Sequence, residues 1–226
     1  MKKHELCVFC GKDESVGPMN AEHFIPKALW NGARPDGTKT VPAHVSCNNA
    51  FSDDVDLFRD ILAMDAAATG HPEVQKLLNG KLKRKIEKRA GSIKAKTKPV
   101  VLPNTTESGL YLGPAVFMQV EADLLVRLLR NMARGLYYCE MNQLVPFSAK
   151  IAVIHLDNTN VIQLGEFVRS LGKTESFGDD VFRYKREFEP GAMACVLEFY
   201  TTRRFLCHTI WDGDERNHAG SRIESA

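Results

Sequence analysis

Two dyads of soft metal donors constrain this chain more than any other feature: Cys7-Val8-Phe9-Cys10, followed by Gly11, and His44-Val45-Ser46-Cys47. A Cys-x-x-Cys turn lets two thiolates face one ion, and alone it fits a redox dithiol as well as a metal half-site. A second dyad with the same two-residue gap completes a four-donor tetrahedral set, Cys7, Cys10, His44 and Cys47. Such a closed shell suits a structural zinc and leaves no open coordination position for chemistry. The bland alternative is two unrelated pairs. Of the remaining cysteines, Cys139, Cys195 and Cys207 lie inside apolar patterns and read as core residues.

The segment between the dyads explains why a staple is needed. Residues 4–50 are rich in Gly, Pro, Asn, Cys and His with only short apolar pieces, so they hold too little core to fold unaided. From Ser52 the pattern becomes helical, with Val55, Phe58 and Leu62 on one stripe and Leu57, Ile61 and Met64 beside it. A short second helix is expected over residues 72–78. Residues 81–98 hold nine Lys/Arg and one acid, Glu87. This run reads either as a basic arm that tracks phosphates or as a solvated linker. Residues 99–108, with Pro103 and Asn104, look like a boundary.

The rest of the chain alternates between the two periods. Helices are expected over residues 120–138 and 161–171, and strands over 147–156, 181–188, 194–200 and 205–211, the last two joined as a hairpin through Thr201-Thr202-Arg203. The expected class is α+β, divided as residues 1–80 (the metal module), 81–108 (a basic linker) and 109–226 (an α+β accessory domain). Charge follows that division: residues 1–106 carry 17 Lys/Arg against 12 Asp/Glu, and residues 107–226 carry 13 against 16. Either a polyanion finds its footing on the first half or the excess is only a solvated surface. No apolar run approaches the ~18 residues of a membrane helix, and the first residues lack the apolar core of a signal peptide. The expectation is a soluble, cytoplasmic protein.

Between the dyads stands Glu22-His23-Phe24-Ile25-Pro26-Lys27-Ala28-Leu29, and the second dyad sits in Val41-Pro42-Ala43-His44-Val45-Ser46-Cys47-Asn48-Asn49-Ala50-Phe51-Ser52, followed by Val55-Asp56. Together these strings resemble the zinc-knuckle branch of the HNH endonuclease family. The likeness covers about residues 7–57, a quarter of the chain.

The resemblance implies a ββα-metal (His-Me finger) fold. Its short strands would lie around residues 23–25 and 40–43, with a helix beginning near Asn48. By position, Glu22 matches the family's acidic ligand for a catalytic Mg²⁺ or Mn²⁺, His23 the general base, and Asn48 the second ligand of that cation. Asn49 and Asp53 are supporting candidates. Lys39 stands where many members place the asparagine that orients the histidine. The knuckle carries His44 where cysteine is more usual, and Ser52 follows Asn48 where some members have a further ligand.

The chemistry suits phosphodiester hydrolysis. Imidazole, with an ordinary pKa of about 6.5, is the side chain for deprotonating water near neutral pH. A hard cation on oxygen donors offsets the charge that builds on phosphate. Lys27, Lys39 and Arg34 flank the dyad, and Lys83, Arg84 and Lys85 head the basic run, as contacts to a nucleic-acid backbone.

Three functional readings stay open. The first is an endonuclease acting on double-stranded DNA, with the family's associations of restriction or phage defence, whose accessory half selects target, partner protein or homodimer. The second is a degenerate HNH zinc-finger module that binds DNA or RNA without cutting. In the third, the α+β half is the functional one, as a ligand sensor or dimerisation domain.

Overall fold

The computed structural model describes residues 6–64, 70–84, 97–105, 108–120, 122–156 and 158–211. Its first layer is small. Strand β1 (Met19–His23) pairs antiparallel with β2 (Thr40–His44) in the register Met19↔His44 to His23↔Thr40. Pro42 sits inside β2, where it is tolerated because a two-stranded sheet is all edge. The chain then turns directly into a short helix α1 (Val45–Asn49) and a longer one, α2 (Ser52–Met64). The first strand therefore ends where sequence placed its start, because Pro26 and the tight turn at Lys27–Leu29 follow at once. Asn48 lies near the end of α1 rather than at the start of a long helix.

Helix α3 (Pro72–Leu77) is capped by His71, whose Nδ1 accepts from the Glu73 N–H at 3.2 Å. It does not stop at Asn79-Gly80. The backbone widens into one looser turn over Leu78–Leu82, which delivers Leu82 to the core. Strand β3 (Thr97–Thr105) pairs with β4 (Tyr111–Val120) in a long two-stranded ribbon. Composition reads residues 97–105 as linker and boundary, because Pro99 and Pro103 argue against a central strand. A ribbon that has no third strand among the described residues accepts them.

Helix α4 (Ala122–Met141) carries the stripe Leu124, Leu128, Leu129, Met132, Ala133, Leu136 and Tyr137, all buried. The strands β5 (Lys150–His155), β6 (Lys173–Phe177), β7 (Phe182–Glu189), β8 (Ala192–Phe199) and β9 (Arg203–Ile210) form one antiparallel sheet in the order β5-β9-β8-β7-β6. Helix α5 (Asn158–Ser170) lies between β5 and β6 in sequence. Period-two alternation assigns the faces. On β8, Met193, Cys195, Leu197 and Phe199 enter the main core with α4, while Val196 joins Leu156, Leu171 and Leu206 in a second cluster against Leu164 and Val168 of α5. The β8–β9 turn runs through Tyr200 and Thr201, both at positive φ, one residue earlier than expected. The class is α+β, as expected.

The main core is shared across the chain. Val8, Phe24, Ile25, Leu29, Trp30 and Val41 belong to the same cluster as α2, α4 and the sheet. Helix α4 is contacted by β2 and α2 as well as by β5 and β9. Three close fits fix the join. A side chain at Gly135 on α4 would collide with Phe24, and one at Gly178 would collide with the Trp30 indole. The Tyr200 hydroxyl donates to the Leu29 carbonyl at 2.7 Å. Among the described residues no helix is long and apolar enough to cross a membrane.

Candidate metal centre and adjoining polar site

Each half of the donor set is shaped by local backbone. The Cys7–Cys10 turn closes with the Gly11 N–H donating to the Cys7 carbonyl at 2.8 Å, and Gly11 has φ +73, a conformation glycine adopts without strain. The Val8 N–H donates to the Pro42 carbonyl at 2.9 Å, which pins this turn to β2. On the other side, β2 ends at His44 and α1 starts immediately, so His44 and Cys47 lie one helical turn apart.

The result is a cluster in which the donor atoms of Cys7, Cys10, His44 and Cys47 all lie within 4.8 Å of one another. His44 Nδ1 is 3.3 Å from Cys10 Sγ and 3.9 Å from Cys47 Sγ. Its other nitrogen, Nε2, is 2.8 Å from the Asp13 carbonyl. A carbonyl can only accept, so Nε2 carries the proton and Nδ1 turns its lone pair toward the sulfurs, the arrangement found behind metal-bound histidines. Burial opposes ionisation of Cys7, but N–H groups of His44, Cys10 and Phe9 outweigh it and hold the thiol below its ordinary value. Burial and the neighbouring Cys10 and Cys7 push Cys47 up to about 12. Crowded thiols resist losing every proton until a cation compensates them. The four residues could hold one metal ion.

Beside this centre lies a second polar group. The Asn48 side-chain N–H donates to Glu22 Oε2 at 2.8 Å, so residues from β1 and α1 meet at one point although 26 positions apart. Among the described residues, neither the Asn48 amide oxygen nor the second Glu22 oxygen makes a hydrogen bond. The pair thus offers two oxygen donors, the ligand type a hard divalent cation takes.

His23 ends β1 opposite Thr40. Its Nδ1 is sealed from solvent with no partner in hydrogen-bonding geometry. Burial and the charge of Arg34 lower its pKa below 6.5, while the charge of Glu22 and the nearby Lys39 backbone pull the other way. Arg34 stands in the loop between β1 and β2, and its Nε is also buried without a partner. Burial lowers its pKa, and Glu22 partly offsets that.

The remaining cations divide. Lys27 is exposed. Lys39 is engaged: its Nζ is 3.0 Å from Glu140 on α4, a partner 101 positions away that no local pattern reveals. Glu140, whose side chain is 5% exposed, also takes Arg186, and Lys173 at 3.3 Å. Lys83 and Arg84 are exposed, the latter donating from Nε to the Gly80 carbonyl at 3.3 Å. Lys85 lies outside the described residues. Comparison with protein-family models, with curated proteins and with solved structures yields no match to this chain.

Proposed function

We propose that the chain is a metal-dependent endonuclease of the HNH type, with a structural zinc at Cys7, Cys10, His44 and Cys47 and a ββα-metal module built from β1, β2 and the helices after them. The observation that carries this reading is the Glu22–Asn48 hydrogen bond of 2.8 Å, with His23 adjacent to Glu22 on the same strand and Cys47 adjacent to Asn48. Thiolate and imidazole donors favour zinc at the first centre. Glu22 and Asn48 would hold Mg²⁺ or Mn²⁺, which when bound supplies positive charge against the phosphate and its leaving oxygen.

The protein's own part is proton transfer and positioning. His23, kept neutral by its surroundings, takes a proton from water as the water oxygen bonds to phosphorus and the bond to the 3′ oxygen breaks. The departing oxygen is protonated from solvent. The charge of Glu22, which is held by Asn48, favours the imidazolium that forms.

A second reading has its own support. His23 Nδ1 has no partner, and Lys39, at the position of an orienting asparagine, turns its side chain to Glu140. Both features suit a module that holds nucleic acid and cuts nothing.

One assay separates the two. The purified protein is expected to contain about one zinc per chain and to nick plasmid DNA when Mg²⁺ or Mn²⁺ is supplied. His23→Ala should keep the zinc and lose about 10²–10⁴-fold in cleavage. Equal cutting by that variant would remove His23 from the reaction, and binding without cutting by the parent protein would favour the second reading.

A further inference from the structure

Three cations flank Glu22 and His23, and only one is held inside the fold without a partner. Lys27 points into solvent, and Lys39 is tied to Glu140. Arg34 is half-buried, its Nε is sealed from water, and among the described residues it makes neither a hydrogen bond nor an ion pair. It stands in the loop that leaves β1, the strand bearing Glu22 and His23, and its charge acts on His23 as that of Glu22 acts on it. Glu22, the carboxylate whose charge acts on it, accepts from Asn48 instead.

A charged donor held inside the fold with no acceptor is unfavourable, because it has given up water and gained nothing in return. A fold that retains such a group commonly does so where a ligand supplies the missing acceptors. Guanidinium is planar and presents parallel N–H bonds, which match two oxygens of a phosphate better than a lysine ammonium does.

We propose that Arg34 binds the phosphodiester at this site, its free guanidinium edge receiving the non-bridging oxygens of the phosphate that lies against Glu22 and His23. The identity of the anion rests on the nucleic-acid reading above. Arg34 is then a substrate-binding group, and the exposed Lys27 contributes only general attraction.

The test uses the full chain in a His23→Ala background, which removes cleavage from the measurement. Binding of a fluorescent DNA duplex is followed by anisotropy across a KCl series with Mg²⁺ present, for His23→Ala alone and combined with Arg34→Met, Arg34→Lys or Lys27→Met. Arg34→Met is expected to weaken binding about tenfold or more and to lower the slope of log K against log salt by about 1. Arg34→Lys should recover the slope and only part of the affinity. Lys27→Met should change affinity by less than Arg34→Met does.

A melting curve accompanies each variant. Because the guanidinium lacks partners, Arg34→Met is expected to match or exceed the parent Tm. A collapse of Tm would make Arg34 structural and overturn the proposal, as would an unchanged affinity and slope in both Arg34 variants. Should the His23→Ala parent bind no DNA at all, both this inference and the nuclease reading fall. If the wild-type chain never cuts plasmid while the Arg34 effects appear, the nuclease reading falls and the phosphate site stands.

Discussion

At His23 the decisive quantity is which form the imidazole holds near neutral pH. Burial and Arg34 push its pKa below 6.5 in the folded chain. The neutral imidazole therefore predominates at pH 6.5 and above, giving way to the imidazolium only as pH falls through the lowered value. A divalent cation on Glu22, as the proposed function has it, would act in the same direction. The acid limb of kcat/KM for plasmid nicking should accordingly have its midpoint below pH 6.5, and a midpoint well above that value would assign the base elsewhere. The donors themselves were legible at this scale, since Cys7, Cys10, His44 and Cys47 announce themselves by spacing and do converge. What spacing could not reveal is what each polar group touches. Nothing local to Lys39 points to Glu140, and nothing local to His44 points to the Asp13 carbonyl. Such pairings are made by tertiary packing between segments that share no periodic pattern.

Individual elements show the same division. Helices α2, α4 and α5 and the strands β7, β8 and β9 follow from strong period-3.6 or period-2 patterns, with ends displaced by a few residues. Strand β6 was missed because Lys173-Thr174-Glu175-Ser176-Phe177 is a polar edge strand with almost no apolar alternation. The ribbon β3–β4 was missed for its prolines.

Helix α4 yields a prediction of unusual sign. In a solvated helix, Gly→Ala gains up to about 1 kcal/mol. At Gly135 the added methyl would meet Phe24, the residue after His23, so Gly135→Ala should instead cost about 1–3 kcal/mol in denaturant melts. A more stable variant would show that Phe24 is free to move. For the four-donor cluster, Cys10→Ser or Cys47→Ser should abolish metal binding and open the Val8-to-Pro42 backbone clamp, seen as fast amide exchange at Val8. Retained protection without metal would detach the clamp from the metal centre.

For the molecule as a whole, Glu140 is the charged junction between Lys39 at the entry to β2, α4 and the sheet. Burial alone would raise its pKa, but hydrogen bonds from Lys39 and Lys173 and the charge of Arg186 outweigh that and hold it at about 2. A carboxylate whose folded pKa is depressed stabilises the fold above its unfolded value and loses that contribution as pH falls toward the folded one. Stability should therefore decline between about pH 4.5 and pH 2, and Glu140→Gln should be less stable at pH 7 with a shallower decline in that window. A variant with the parent's acid profile would place the linkage on other carboxylates.

Phe24 against Gly135 and Trp30 against Gly178 also decide how the chain can be divided. Severed after Arg84, the amino-terminal piece would leave Phe24 and Trp30 without the surfaces at Gly135 and Gly178 that cover them, each forfeiting up to about 1.5–3 kcal/mol of burial. That fragment is expected to aggregate even with its four-donor cluster metal-loaded, while the intact chain stays dispersed in size-exclusion runs. The strand bearing His23 draws its rigidity from a helix a hundred residues downstream, so the two halves cannot be traded like cassettes between hosts.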